Sequence, residues 1–184
     1  MPNPLIDRVS IHEWVDHIAE NSGSHKTAIT RLVRSQRKLA KYVDTQAQTI
    51  SAGQRHTAIY LLGVVLRIFD LAGGKLKRIA VPQVVDAEGR VKPHVAAIMP
   101  PDEGLAERVR SIEGRAQPHL LDEMLMDLWN TPDTEPVELL KLFLLLWIVV
   151  EVVDEHWVPP NDFSGPDVYA YVPIAPTPPD TSAT

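Results

Sequence analysis

The chain has no cysteine among its 184 residues. That excludes a disulfide framework, a thiolate metal site and a cysteine nucleophile. The opening MPNPLIDRVS has no basic region followed by an apolar run. No signal peptide is expected there, and a cytoplasmic location is the default expectation. No glycine pattern fits a phosphate loop, because Gly73-Gly74-Lys75 lacks both the Walker spacing and a preceding strand. No nucleophile-elbow sequence occurs, and no Glu-x-x-His pair of the di-iron bundle type. No internal repeat is visible. No cofactor is implied.

Positive charge is scarce in one half only. Residues 101–184 hold 4 Lys/Arg against 16 Asp/Glu, a net of −12, whereas residues 1–100 hold 14 against 8, a net of +6. Such a split suggests either a basic partner surface or halves that attract each other.

What is present is one long apolar stretch. Val137–Trp157 reads VELLKLFLLLWIVVEVVDEHW, and Leu142–Val150 is nine consecutive apolar residues. The run is longer than a buried strand and rich in Leu, so it predicts a helix. At 100° per residue its apolar side chains point all round, so the middle must be buried. Thr134 is the expected N-cap, Pro136 suits the first turn, and Pro159-Pro160 ends the helix. Burying about ten such side chains contributes on the order of 15–30 kcal/mol before chain entropy offsets most of it. Lys141 near one end and Glu151, Asp154 and Glu155 near the other confine the uncharged part to roughly 13 Å. That falls short of a bilayer core of ~30 Å, and no Lys/Arg cluster flanks it, so no membrane span is expected.

Ser10-Ile11-His12-Glu13 fits a capping box, with Val9 and Trp14 at the staple positions. A helix from Ser10 would bury Ile11, Trp14, Val15 and Ile18. A second helix is predicted over 24–50. Its apolar face runs from Ile29 through Leu32, Val33, Gln36, Leu39 and Val43 to Ile50. Arg31, Arg34, Lys38 and Lys41 fall opposite, with Lys26 and Arg37 beside them. A third is predicted over Gln54–Leu71, where Gly63 marks a close helix–helix approach. Lys75, Lys77 and Arg78 follow as a small basic cluster. Ile79–Val85 and Val91–Ile98 are rich in Val and Ile around a Gly89 turn, which predicts a β-hairpin or, with Pro82 and Pro93, an extended arm. Further helices are expected at about 103–114 and at Pro118–Trp129. The fold class is therefore mainly α, a helical bundle of five to six helices around the central one. Residues 1–157 form one domain with a 79–99 insertion. A Pro-rich tail covers 158–184; Val168–Val172 within it suits a sheet edge or the surface, and disorder is expected from about 173.

The candidate sites follow from charge. Arg31, Arg34, Arg37, Lys38 and Lys41 form the strongest signal outside the core, a stripe about 15 Å long. It can be a solvated face, dock on the acidic C-terminal half, meet a protein partner, or follow a phosphate backbone. Tyr42 is the one nearby aromatic, which gives base stacking little support. His12, Asp16 and His17 have metal-like i,i+4 spacing, though they depart from HExxH, and Glu151, Asp154 and Glu155 lie beside His156. A third cluster is His119, Asp122, Glu123 and Asp127. Acids at helix ends explain most of these without an ion.

Glu135-x-x-Glu138 followed by Glu151-x-x-Asp154 resembles the ExxE…ExxD pattern of the all-α, MazG-like nucleotide pyrophosphohydrolases. In that family the two acidic pairs face each other from different helices. Here they share one predicted helix about 20 Å apart, so the resemblance carries no site. The expectation is a non-catalytic interaction protein, a subunit or adaptor of a larger assembly, with a protein partner or self-association. Nucleic-acid binding through the 24–50 basic face is the first alternative, and a metal-dependent enzyme built on the His and carboxylate clusters is the second.

Overall fold

A computed structural model describes residues 2–163. In chain order the helices are α1 (Arg8–Glu20), α2 (Ser22–Ser35), α3 (Arg37–Ile50), α4 (Gln54–Leu71), α5 (Val81–Val91), α6 (Val95–Ile98), α7 (Leu105–Arg110), α8 (Pro118–Trp129) and α9 (Pro136–His156). Two short strands, β1 (Lys75–Leu76) and β2 (Trp157–Val158), pair antiparallel, with Lys75 opposite Val158 and Leu76 opposite Trp157. The fold is mainly α.

The apolar run forms α9. Between Leu139 and Val153 only Lys141, Leu144 and Glu151 escape full burial. α3, α4, α5 and α8 pack against it, which accounts for a helix apolar on every side. Its N-cap is Glu135 rather than Thr134, with Pro136 in the first turn. No helix among the described residues is long and apolar enough to cross a membrane. α4 has the predicted bounds. A Cβ on Gly63 would meet Ile29 Cγ2 at 2.6 Å, so the glycine does mark the place where α4 presses against α2.

The structure departs from expectation in four places. First, α1 begins at Arg8, capped by Asp7, whose carboxylate accepts from the Ser10 N–H at 2.9 Å. Ser10 is therefore inside the helix and Val9 is exposed, while Ile6 and Ile11 take the staple positions and are both buried. Second, the segment 24–50 is two helices, parted at Gln36 (φ −108°, ψ 42°). Third, the hairpin expected within 79–99 is helix: α5, a 3-10 turn over Lys92–His94, and α6. Pro82 sits in the first turn of α5, where its missing N–H costs nothing, and Val84, Ala87 and Val91 make a buried helical stripe. The sheet lies elsewhere, where β2 closes on β1. Fourth, the helix expected over 103–114 shortens to Leu105–Arg110. The Val168–Val172 segment and the tail beyond residue 163 lie outside the described residues.

Two buried glutamines act as clamps. Gln36 is 2% exposed; its Nε2 donates to Lys77 O (3.0 Å) and its Oε1 accepts from the Ile79 N–H (3.0 Å). Gln117 is 1% exposed; its Nε2 donates to Pro4 O (3.0 Å) and to Asp154 Oδ1 (2.7 Å), and its Oε1 accepts from the Ile6 N–H (2.8 Å). Each amide thus satisfies the C=O of one residue and the N–H two residues later on an extended segment, as a neighbouring strand would. Gln117 does so from a left-handed conformation (φ 42°, ψ 60°), a strain of about 1–2 kcal/mol that its three hydrogen bonds offset.

Candidate functional site

The Gln36 clamp creates the most distinctive surface. It turns α3 away from α2 and draws the segment 77–79 against the bend. Arg34, Ser35, Arg37 and Lys38 on the two helices then meet Arg78, Ile79 and Ala80 around a concavity of about 640 Å³. A second concavity of about 440 Å³ adjoins it, lined by Lys26, Thr27, Thr30, Arg31 and Arg34. Arg34 belongs to both, so the two form one groove. Among the described residues no carboxylate lines either part.

Of the predicted stripe, Arg31, Arg34, Arg37 and Lys38 therefore share this groove. Lys41, one turn further along α3, is exposed but lies outside it. Sequence reasoning left Arg78 in a separate cluster. Only the Gln36 amide, 41 and 43 residues from its partners, brings it across.

The acids are engaged elsewhere. Arg31 reaches Asp70 at 3.6 Å, but Asp70 is held more closely by Arg67. Asp44, the one acid of 24–50, pairs with Arg55, whose guanidinium holds its carboxyl below the usual range. Glu155 and Glu151 face Arg90 at 2.9 and 4.0 Å. Asp122 lies 3.3 Å from both Arg110 and Arg115. Among the described residues, Lys26, Arg34, Arg37, Lys38, Lys41 and Arg78 have no carboxylate partner within 4.0 Å. Within those residues, the acidic half does not neutralise the stripe.

A helix end adds to the positive field. α3 begins at the groove with Arg37 and has no side-chain cap on its first N–H groups. α5 begins beside it at Val81; Gln83 Oε1 accepts from the Ala80 N–H at 2.7 Å, but Ala80 has no side-chain acceptor to give in return. Both ends carry donors without a partner inside their helix, but α2 ends at the same Gln36 and its negative pole offsets that of α3, so α5 supplies the net positive helix end.

Of the candidate metal ligands, the structure brings His12 and Asp16 on α1 together with Glu123 and Asp127 on α8, and gives His17, Glu151 and Asp154 other partners. His12 turns to Glu123 (2.8 Å) and Asp16 (3.6 Å), and Glu123 raises its pKa. His17 instead meets His25, 2.8 Å between Nδ1 and Nε2. Glu151 Oε1 accepts from the Ala116 N–H (3.0 Å) and Trp147 Nε1 (3.1 Å). Asp154 accepts from Gln117, and burial pushes its carboxyl up. Asp127 is pushed up to about 6 by desolvation and by the neighbouring Glu123 and Asp16. Among the described residues no group of three or more His, Asp or Glu is arranged to hold a metal ion. α9 is unbroken from Pro136 to His156, so Glu138 and Glu151 stand at its opposite ends.

Comparison with protein-family models, curated proteins and solved structures finds no match to this chain.

Proposed function

We propose that this chain is a non-catalytic interaction protein, a subunit or adaptor of a larger assembly, and that the α2–α3 basic groove is the surface it presents to its partner. One observation carries the reading: a row of exposed cations set in a concavity that no carboxylate lines among the described residues, with Asp44 held by Arg55 and Asp70 shared between Arg67 and Arg31. Keeping like charges together costs several tenths of a kcal/mol per close pair, and a complementary partner removes that cost. The buried polar side chains serve as clamps between segments, which fits a scaffold role.

The test is light scattering behind a sizing column at low and high salt, with affinity capture from source cells by the wild type and by the Arg34→Glu/Lys38→Glu double variant. The reading expects an oligomer or a stoichiometric complex that the charge-reversed bait loses. A monomer whose captured material is the same for both baits overturns it.

A further inference from the structure

We propose that the partner at this groove is the phosphate backbone of a nucleic-acid duplex, bound without regard to base sequence. The inference rests on reading the groove as the docking surface and goes on to name what docks.

Three features fit a phosphate backbone as the complementary group. The first is the donor set. Lys26, Arg31 and Arg34 continue past the bend into Arg37, Lys38 and Arg78, and the hydroxyl-bearing Thr27, Thr30 and Ser35 lie among them. Guanidinium, ammonium and hydroxyl donors interleaved along a line are what a row of tetrahedral, multiply accepting phosphates takes. The second is extent. The residues from Lys26 to Lys38 cover roughly 18 Å at the helical rise, more than one anion fills, so the ligand is a repeating polyanion. The third is the N-terminus of α5, which opens beside Arg78 and Ala80 and adds backbone donors to the groove's charge.

The groove also shows what it does not read. Among the described residues no aromatic ring lines it, and Tyr42, the nearest in sequence, spends its hydroxyl on Glu88 at 3.2 Å. Single-strand binders add stacking platforms to their cations, and this surface has none, so a duplex with its bases already stacked is the better fit. No Asn or Gln stands in the groove to reach a base edge; Gln36, at the bend, is buried on its clamp. The overall charge of −6 does not oppose this, because a local field decides binding at one face and an acidic remainder orients the molecule.

The test is fluorescence anisotropy with the full chain and labelled probes at 50–200 mM NaCl: two 25-base-pair duplexes of unrelated sequence, a single strand of equal length, and an Asp/Glu-rich peptide. With four to five phosphates neutralised, the logarithm of the binding constant falls against that of salt with a slope of about −4, roughly 250-fold over that range. Both duplexes bind equally and more tightly than the single strand. Arg34→Gln/Lys38→Gln and, independently, Arg37→Gln/Arg78→Gln each lower the slope by about two, while Lys92→Gln on the 3-10 turn leaves it unchanged. All these residues but Arg78 lie on helix surfaces, and all are exposed, so an unchanged circular-dichroism melt confirms that the variants fold. Duplex binding that is absent, insensitive to both double variants, or strongly sequence-dependent overturns the proposal. Binding of the acidic peptide alone overturns it as well, yet leaves the groove as a docking surface, and so separates the two readings.

Discussion

Gln36→Ala tests the link between one buried amide and the shape of the whole basic face. The side chain supplies a donor to Lys77 O and an acceptor to the Ile79 N–H, both at 3.0 Å. The Ile79 bond is fully buried and the Lys77 bond partly so. Truncation leaves the Ile79 N–H with no partner and no water, a penalty of about 1–3 kcal/mol, and the Lys77 carbonyl adds about 1. The expected loss is therefore about 2–4 kcal/mol. At a urea slope of about 2 kcal/mol per molar this moves the unfolding midpoint down by about 1–2 M. Urea titration followed by far-ultraviolet circular dichroism measures the midpoint, and amide exchange at Ile79 reports the clamp directly. Gln36→Glu keeps both an acceptor for the Ile79 N–H and, while its carboxyl is protonated, an O–H donor for Lys77 O, so it should lie between wild type and Gln36→Ala at acid pH and lose stability as the carboxyl ionises and the donor disappears. The reasoning fails if Gln36→Ala loses less than about 1 kcal/mol while the Ile79 amide stays protected. That result would mean that the bend is set by packing alone.

Gly63→Ala places a methyl 2.6 Å from Ile29 Cγ2, and because Ile29 is branched at Cβ its stiff χ1 leaves that methyl little room to move. A loss of about 1–3 kcal/mol is expected despite the better helix propensity of alanine, and Ile29→Ala in the same chain should recover part of it in thermal melts. Asp122→Ala strands Arg115, whose side chain is 4% exposed, and should cost about 3–5 kcal/mol; Asp122→Leu/Arg115→Met should cost less, because no charge is left buried. His25 and His119 should contribute stability that falls as pH drops below about 6.5, against the opposite contributions of Asp127 and Asp154, whose carboxyls burial pushes up. Arg67 Nε can only donate to His25 Nδ1 (3.1 Å), so neutral His25 carries its proton on Nε2, toward His17. Burial and then Arg67 lower the His25 pKa, and desolvation lowers that of His119. A lowered base pKa means that the unfolded chain takes up protons first, so this stabilisation is present above the unfolded value and is lost as pH falls through the folded one. His12, raised by Glu123, acts in the opposite sense. His25→Gln should flatten the pH dependence of the melting temperature between pH 7 and 5, and an unchanged profile would refute the assignment.

Local signals in the sequence determined the helices whose pattern lies within one segment. α9 is apolar all round and can only be central, α4 is almost wholly apolar over Ala58–Leu66, α8 carries one apolar face, and Gly63 inside α4 foretold a close helix–helix approach, which the structure makes with α2. The cations of 24–50 were legible as a stripe for the same reason: charge on a helix face follows from spacing alone. Val- and Ile-rich composition misled at 79–99. There β propensity competed with a buried Val84–Ala87–Val91 stripe, and packing against α9 decided for helix. A side-chain N-cap acceptor was also available three residues before the Ser10 capping box, and Asp7 takes that role in the frame that sets Ile6 against Ile11. What only the tertiary structure decided is the groove itself. Gln36 lies on the apolar face of an unbroken helical pattern, with no proline or glycine to signal a break. The helix ends there because the Gln36 side chain finds backbone partners more than forty residues away. Those long-range bonds bend the stripe, bring Arg78 to it and turn a charged helix face into a concave site, and no local periodicity can encode a contact between segments so far apart in the chain.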